Sequence, residues 1–172
     1  EGAETPMVIS GCIGPRGDGY VAGAEMTPEV AGQYHGEQIA VFAGTEVDMV
    51  SAFTMTNVNE ALGIVIAAKR HDLPVAISFT LEADGLLPSG ATLREAIEAV
   101  DAATGHYAAY YMINCAHPTH FQHALDNEGG WVRRIRGIRA NASKRSHAEL
   151  DSAPDLDAGD PVELGHEYHG LL

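Results

Sequence analysis

The sequence predicts a parallel α/β fold, either an open doubly wound sheet or part of a (β/α)8 barrel. Short apolar runs of strand length alternate with longer stretches of helical period. Helix starts are marked by Thr or Asn caps, twice with Pro or Glu following at capping positions. The apolar runs are closed by Gly-rich or polar segments at the end where parallel folds gather their chemistry.

Residues 7–12 form the first buried strand and lead into the Gly-rich loop of residues 14–19. Thr27, Pro28 and Glu29 then start a helix that runs to Gly44, with Glu29, Gln33 and Glu37 on its solvated face. Residues 47–53 are the second strand. Asn57 caps a helix to Arg70 whose Val58, Ala61, Leu62 and Val65 share one face. Residues 74–80 repeat the strand, and Thr92 with Glu95 makes a capping box for a helix to Ala103. Residues 110–115 form the fourth strand, residues 118–125 a short helix, and residues 132–140 a fifth strand. The arginines at 133, 134, 136 and 139 read as a solvated strand entry, because no Gly-rich helix N-terminus accompanies them. Residues 142–160 are polar and without period, a long loop or lid before a last amphipathic helix from Pro161.

The chain has 172 residues, 45% of them hydrophobic, enough for one domain with a core. Twenty-four acidic against ten basic residues give a charge of −14, whose field repels nucleic acid and anionic membranes. No apolar run approaches the roughly 20 residues of a membrane span. Residues 1–5 are acidic and polar, without the pattern of a secretory signal, so a cytoplasmic location is expected. The two cysteines, Cys12 and Cys115, are too few for a disulfide framework and read as free thiols. The absence of an initiator Met and the immediate start of a strand point to a fragment.

In a parallel fold the positions to inspect are the strand ends: Cys12, residues 53–56, residues 78–80, residues 114–117 and Asn141. Cys115 has Asn114 before it and His117 and His120 after it. Its thiolate suits a soft metal, although it also reads as a small packed hydrophobe. Cys115, His117 and His120 make a poor tetrahedral set, since Pro118 fixes the intervening backbone and no second ligand pair is evident. Cys12, on an apolar strand beside Gly11, reads as packed. No nucleophile elbow, P-loop or dinucleotide fingerprint occurs.

Four segments, Ser10-Gly11-Cys12-Ile13-Gly14-Pro15, Ile77-Ser78-Phe79-Thr80, Ser89-Gly90 and Ile113-Asn114-Cys115, resemble the homocysteine S-methyltransferase family in order and spacing. Residues 157–161 are similar to the family's segment leading into the helix before its last strand. The resemblance implies a (β/α)8 TIM-type barrel, incomplete here, with about five βα units corresponding to strands three to seven. Residues 1–172 would then be one partial homocysteine-binding barrel domain. It further implies a zinc held by three cysteine thiolates, the first matched by Cys115 and the other two an adjacent pair that this sequence lacks. Phe53 stands where many members carry a glutamate for the amino group of homocysteine. Ser78, Thr80, Asn114 and Asn141 are expected to line the substrate pocket.

The implied reaction moves a methyl group from a sulfonium or related donor to the thiolate of homocysteine, giving methionine. The partners would be a small thiol substrate and a methyl donor. With one of three thiolates the isolated chain is expected to be inactive. The competing reading is a non-catalytic fragment or scaffold that self-associates to cover open sheet edges.

Overall fold

Capping side chains set most of the helix starts. In the computed structural model, which describes residues 5–21, 23–126 and 129–171, Thr27 accepts from the Val30 amide to open α1 (Pro28–Ala43). Asn57 caps α2 (Val58–Arg70), and the box of Thr92 and Glu95 opens α3 (Leu93–Thr104). His117 caps α4 (Pro118–Leu125) and Asp160 caps α6 (Pro161–Gly170). Ser146 and Glu149 form a second box that opens the short helix α5 (His147–Asp151). That helix corrects the reading of residues 142–160 as loop throughout: its local cap signal lay in a stretch too short to show a period. Residues 1–4, part of the segment read for a signal pattern, lie outside the described residues, as does Leu172.

The strands are β1 (Ser10–Ile13), β2 (Met49–Met55), β3 (Val75–Thr80), β4 (Tyr110–Asn114) and β5 (Ile135–Arg139). All neighbours pair in parallel, in the sequential order β1-β2-β3-β4-β5. A doubly wound sheet would reverse its strand order at a switch point. This one does not, which is the winding of a barrel wall. Two boundaries move from the sequence expectation. β2 lies two residues further on, and residues 132–134 form a 3-10 turn before β5. Among the described residues no helix is long and apolar enough to cross a membrane.

In-register parallel partners share a face, so the two sides of the sheet can be separated. Val50, Ala52, Met55, Ile77, Phe79, Tyr111 and Ile113 are fully buried in one core with Ile64, Val65 and Ala68 of α2 and Ala96, Ile97 and Val100 of α3. Each large aliphatic or aromatic side chain among them contributes about 1.5–3 kcal/mol by burial. The opposite face carries Ser10, Cys12, Ser51, Ser78 and Asn114, with Ser10 Oγ and Ser51 Oγ 2.8 Å apart. Cys12 is exposed there, not packed as its apolar neighbours suggested, because β1 is an edge strand and this face is polar.

Helices α1 and α2 touch at Gly32 and Gly63. A Cβ on Gly63 would lie 2.5 Å from Ala31 Cβ and 2.6 Å from the Gly32 nitrogen, so only glycine allows this approach. Between the same helices the buried Glu60 accepts from His35 Nε2 at 2.8 Å and from the Arg16 amide at 2.6 Å. Burial pushes the Glu60 carboxyl up, but these bonds and the one from Asn57 outweigh it and leave it below its ordinary value.

At the amino ends of β4 and β5, Asp101 of α3 accepts from Arg134 Nε at 2.8 Å, Arg134 Nη2 at 3.0 Å and Tyr111 Oη at 2.8 Å. Arg134 therefore belongs to a buried network instead of a solvated strand entry. A lone sequence position does not reveal a partner 33 residues away. At the other end of β5, Tyr168 of α6 accepts from the Ala140 amide at 2.8 Å and so fastens the last helix.

Candidate functional site at the carboxyl ends of the strands

The ends of β2, β3 and β4 converge on the side chain of Asn114. Its Oδ1 accepts from Ser78 Oγ at 2.5 Å and from the Thr54 amide at 3.1 Å, while its Nδ2 donates to Thr54 Oγ1 at 3.0 Å and to Cys115 Sγ at 3.1 Å. Asn114 is 2% exposed, so the bond from Ser78 is made out of water, while those with Thr54 and Cys115 reach partly buried partners.

Two of the residues bonded to it have unusual backbones. Thr54 sits at φ 62° and Cys115 at φ 57°, in the left-handed region that branched and bulky side chains avoid. At Thr54 the cause is a bulge: Ala52 pairs with Ile77 and Met55 with Phe79, so β2 spends one residue more than β3. At Cys115 the chain turns out of β4. Its amide donates to Arg139 O at 3.1 Å, and Asn141 Nδ2 donates to its carbonyl at 3.1 Å. Strain of this kind persists where surrounding bonds hold it, and the Asn114 carboxamide is the shared hold.

The β1–α1 loop lies over the cluster. A Cβ on Gly19 would stand 2.7 Å from Thr54 Cγ2, which is why the loop carries glycine there. The next residue, Tyr20, directs its hydroxyl to Cys115 Sγ at 3.5 Å and stacks on His147 of α5, ring centres 4.1 Å apart. The hydrogen bond with Cys115, followed by burial, pushes the Tyr20 phenol up to about 12. His147 Nε2 lies 3.3 Å from Leu81 O, at the end of β3. A cavity of about 500 Å³ opens beside this stack, lined by Tyr20, Val21, Glu82, Pro88, His147, Ala148 and Asp151. A second one of about 580 Å³ lies under the same loop toward Thr56, Asn57 and Glu60. The first shares Tyr20 with the Cys115 cluster and is the one next to the chemistry.

Of the residues expected from sequence, Ser78, Asn114 and Cys115 meet in one bonded cluster, and Asn141 braces it from the turn after β5. Thr80 is fully buried and is the register partner of Asn114 in β4, its hydroxyl without a hydrogen-bond partner among the described residues. Phe53 is half-buried within the bulge, and it is the following residue, Thr54, that enters the cluster. Thr54 fell within the strand-end segment 53–56 but nothing singled it out from Phe53, and Tyr20 carried no sequence signal, since a bulge and a loop crossing depend on the register of distant strands.

Among the described residues no group of three or more His, Cys, Asp and Glu side chains is placed to hold a metal. Cys115 Sγ is met by an amide and a phenol, neither of them a usual zinc ligand. His117 Nδ1 is 2.9 Å from Thr119 Oγ1, and its Nε2 is 2.9 Å from Glu167 Oε2, an ion-pair distance at which that oxygen makes no aligned hydrogen bond. Burial depresses the His117 pKa, against the pull of Glu167. His120 Nε2 lies 3.0 Å from Lys144 O. The described residues therefore do not fit a complete zinc site, and Cys115 offers a single thiolate.

Comparison with solved structures finds the homocysteine methyltransferase MmuM from Escherichia coli. Its metallated form aligns at a TM-score of 0.61 and 18% identity over 80% of this chain and 58% of that one. The oxidized form gives the same values, and the apo form aligns at 0.58 over 59% of its length. The chain thus spans a little under three fifths of these structures, and at this identity the likeness concerns the fold. No curated protein matches. The sequence profile of the homocysteine S-methyltransferases matches residues 1–161, and with nearly the whole chain so matched, the protein belongs to the homocysteine S-methyltransferase family.

Proposed function

We propose that the strand-end cluster serves methyl transfer to the thiol of homocysteine, giving methionine. The observation that carries this is the Asn114 carboxamide, which joins Thr54, Ser78 and Cys115 where a parallel barrel places its chemistry. In this reading the substrate sulfur attacks the methyl carbon of a sulfonium or related donor. A new S–C bond forms, the donor's C–S bond breaks with its electron pair passing to the donor sulfur, and the thiol proton leaves to solvent. In this reading Asn114 and Ser78 set the geometry of the strand ends, Thr80 is buried behind them, Asn141 braces Cys115, and Phe53 takes the position that the family resemblance gives to the residue holding the substrate's amino group.

We assign Cys115 as one of the thiolate ligands that the family's zinc would take; among the described residues no group of three metal-binding side chains completes the set. A cytoplasmic location goes with this reading, since free thiols at Cys12 and Cys115 persist where the medium is reducing.

The test is calorimetric titration of homocysteine into the protein and its Cys115→Ser and Asn114→Ala variants. A loss of at least tenfold in affinity in both variants supports the assignment. Undiminished affinity in Cys115→Ser overturns it.

A second reading, self-association, is favoured by Met7, Val8 and Ile9, which are 80%, 66% and 43% exposed beside the edge strand β1. Sedimentation over a range of concentrations tests it. A single monomeric species throughout would rule it out.

A further inference from the structure

We infer that Glu60 is a positioning residue of the strand-end site: it anchors the β1–α1 loop at the Arg16 amide, and the anchored loop sets the Tyr20 hydroxyl against Cys115. A part in methyl transfer rests on the proposed function, whereas the anchoring does not. Glu60 lies in the first turn of α2, one turn ahead of Gly63, where α1 and α2 approach too closely for any side chain. Its amide donates to the Asn57 cap at 2.8 Å, so the carboxylate stands on a rigid base.

The Glu60 side chain is 4% exposed and accepts from His35 Nε2 at 2.8 Å, the Arg16 amide at 2.6 Å and Asn57 Nδ2 at 3.4 Å. A carboxylate only accepts, so His35 carries its proton on the nitrogen that faces Glu60. His35 and Asn57 belong to the helix pair, whereas Arg16 belongs to the loop, so one buried charge ties the two together. The Arg16 guanidinium lies over the Tyr34 ring of α1, 5.3 Å from its centre, which fixes the residue at both ends. Between Arg16 and Tyr20 the bonds are local: Asp18 accepts from the amides of Tyr20 and Val21 at 2.7 and 3.0 Å. They shape the segment from within and leave its place over the sheet to the Arg16 anchor at one end and the Tyr20 contacts at the other. Tyr20 is 37% exposed and meets Cys115 Sγ at 3.5 Å, a weak hold by itself. Four residues reach about 14 Å when extended, so a loop released at Arg16 can carry Tyr20 off the thiol.

The test reads access to Cys115. The protein is treated with iodoacetamide, and alkylation of Cys115 and of the exposed Cys12 is followed in the same sample by peptide mass spectrometry. Glu60→Ala is expected to raise the Cys115-to-Cys12 rate ratio at least fivefold, and Tyr20→Ala to raise it equally. The double variant should go no further than either single one, because both remove the same cover. Glu60→Gln, which keeps an acceptor for the Arg16 amide, should restore the wild-type ratio. An unchanged ratio in Glu60→Ala, an increase as large in Glu60→Gln, or multiplied effects in the double variant each overturns the anchor. A measurement on the unaltered protein guards against misfolded variants: the Arg16 amide should exchange its hydrogen at least a hundredfold more slowly than in an unfolded chain, and exchange at the unfolded rate overturns the anchor as well. Homocysteine that fails to bind would sink the methyl-transfer reading and leave the anchor standing.

Discussion

Asn114 and Thr54 are bonded twice, amide to Oδ1 at 3.1 Å and Nδ2 to Oγ1 at 3.0 Å, so one carboxamide satisfies both the backbone and the side chain of a residue in left-handed geometry. Replacing Asn114 by Ala leaves the Thr54 amide and the buried Ser78 hydroxyl without this acceptor. An unmet buried group costs about 1–3 kcal/mol. Asn114→Ala is expected to lose about 2–4 kcal/mol in urea denaturation, with the slope of the transition unchanged. A loss below half a kcal/mol would mean that the cluster holds itself without the carboxamide.

The strain at Thr54 has its own signature. Thr54→Ala and Thr54→Gly both remove the hydroxyl, but only glycine adopts φ 62° without steric cost. The left-handed conformation costs a residue with a Cβ about 1–2 kcal/mol, so Thr54→Gly is expected to be the more stable of the two by about 1 kcal/mol. In an ordinary strand the order would be reversed.

Asp101 and Arg134 anchor the amino end of the sheet, with side chains 5% and 25% exposed. Burial alone would push the Asp101 carboxyl up. The bonds from Arg134, Tyr111 and His106 outweigh it and hold the carboxyl below its ordinary value. A carboxyl depressed on folding stabilises the protein above its unfolded pKa of about 3.9, and that contribution is lost as pH falls through the folded value. Asp101→Asn is therefore expected to cost about 3–5 kcal/mol at pH 7. The gap between variant and wild type should narrow as acid titrates the wild-type carboxyl. Denaturation midpoints measured at pH 7 and at pH 3 check both statements.

Phe53 cannot accept a hydrogen bond from a substrate ammonium. If it occupies the place where relatives carry glutamate, Phe53→Glu supplies a charge-assisted bond worth about 1.5–3 kcal/mol and homocysteine binds correspondingly tighter. The same carboxylate without ligand is an unpaired charge in a half-buried bulge, so the melting temperature of the free variant should fall. Calorimetric titration and thermal melts separate the two effects. A folded variant with unchanged affinity would place the amino group elsewhere.

Much of the architecture was legible because its signals are local. Thr27, Asn57 and the Thr92–Glu95 box mark helix starts within four residues, and buried β3 reads as one apolar run. The barrel type came from motif order, and the sequential strand order bears it out. Cys115 and Asn114 were legible as strand-end residues. Thr54 lay in the strand-end segment 53–56 but was not singled out there, since its entry into the site needs a bulge set by the pairing of β2 with β3. Tyr20 reaches Cys115 across 95 residues of sequence, on a loop whose path is fixed by contacts such as Arg16 with Glu60. Arg134 was misread for the same reason: its partner, Asp101, lies on a helix far back in the chain.

The central claim, that the Asn114 cluster receives the thiol substrate, is tested most directly by titrating homocysteine into isotopically labelled protein and following backbone and side-chain amide resonances. The account predicts saturable shifts at Thr54, Cys115 and the Asn114 carboxamide, and much weaker ones when homoserine replaces the thiol by a hydroxyl. The indole resonance of Trp131, the single tryptophan of the chain, which lines a cavity with Ile97 and Asp101 of α3 and not with the Asn114 cluster, should stay still. Shifts absent from Thr54, Asn114 and Cys115 at millimolar homocysteine, or equal for homoserine, would contradict it.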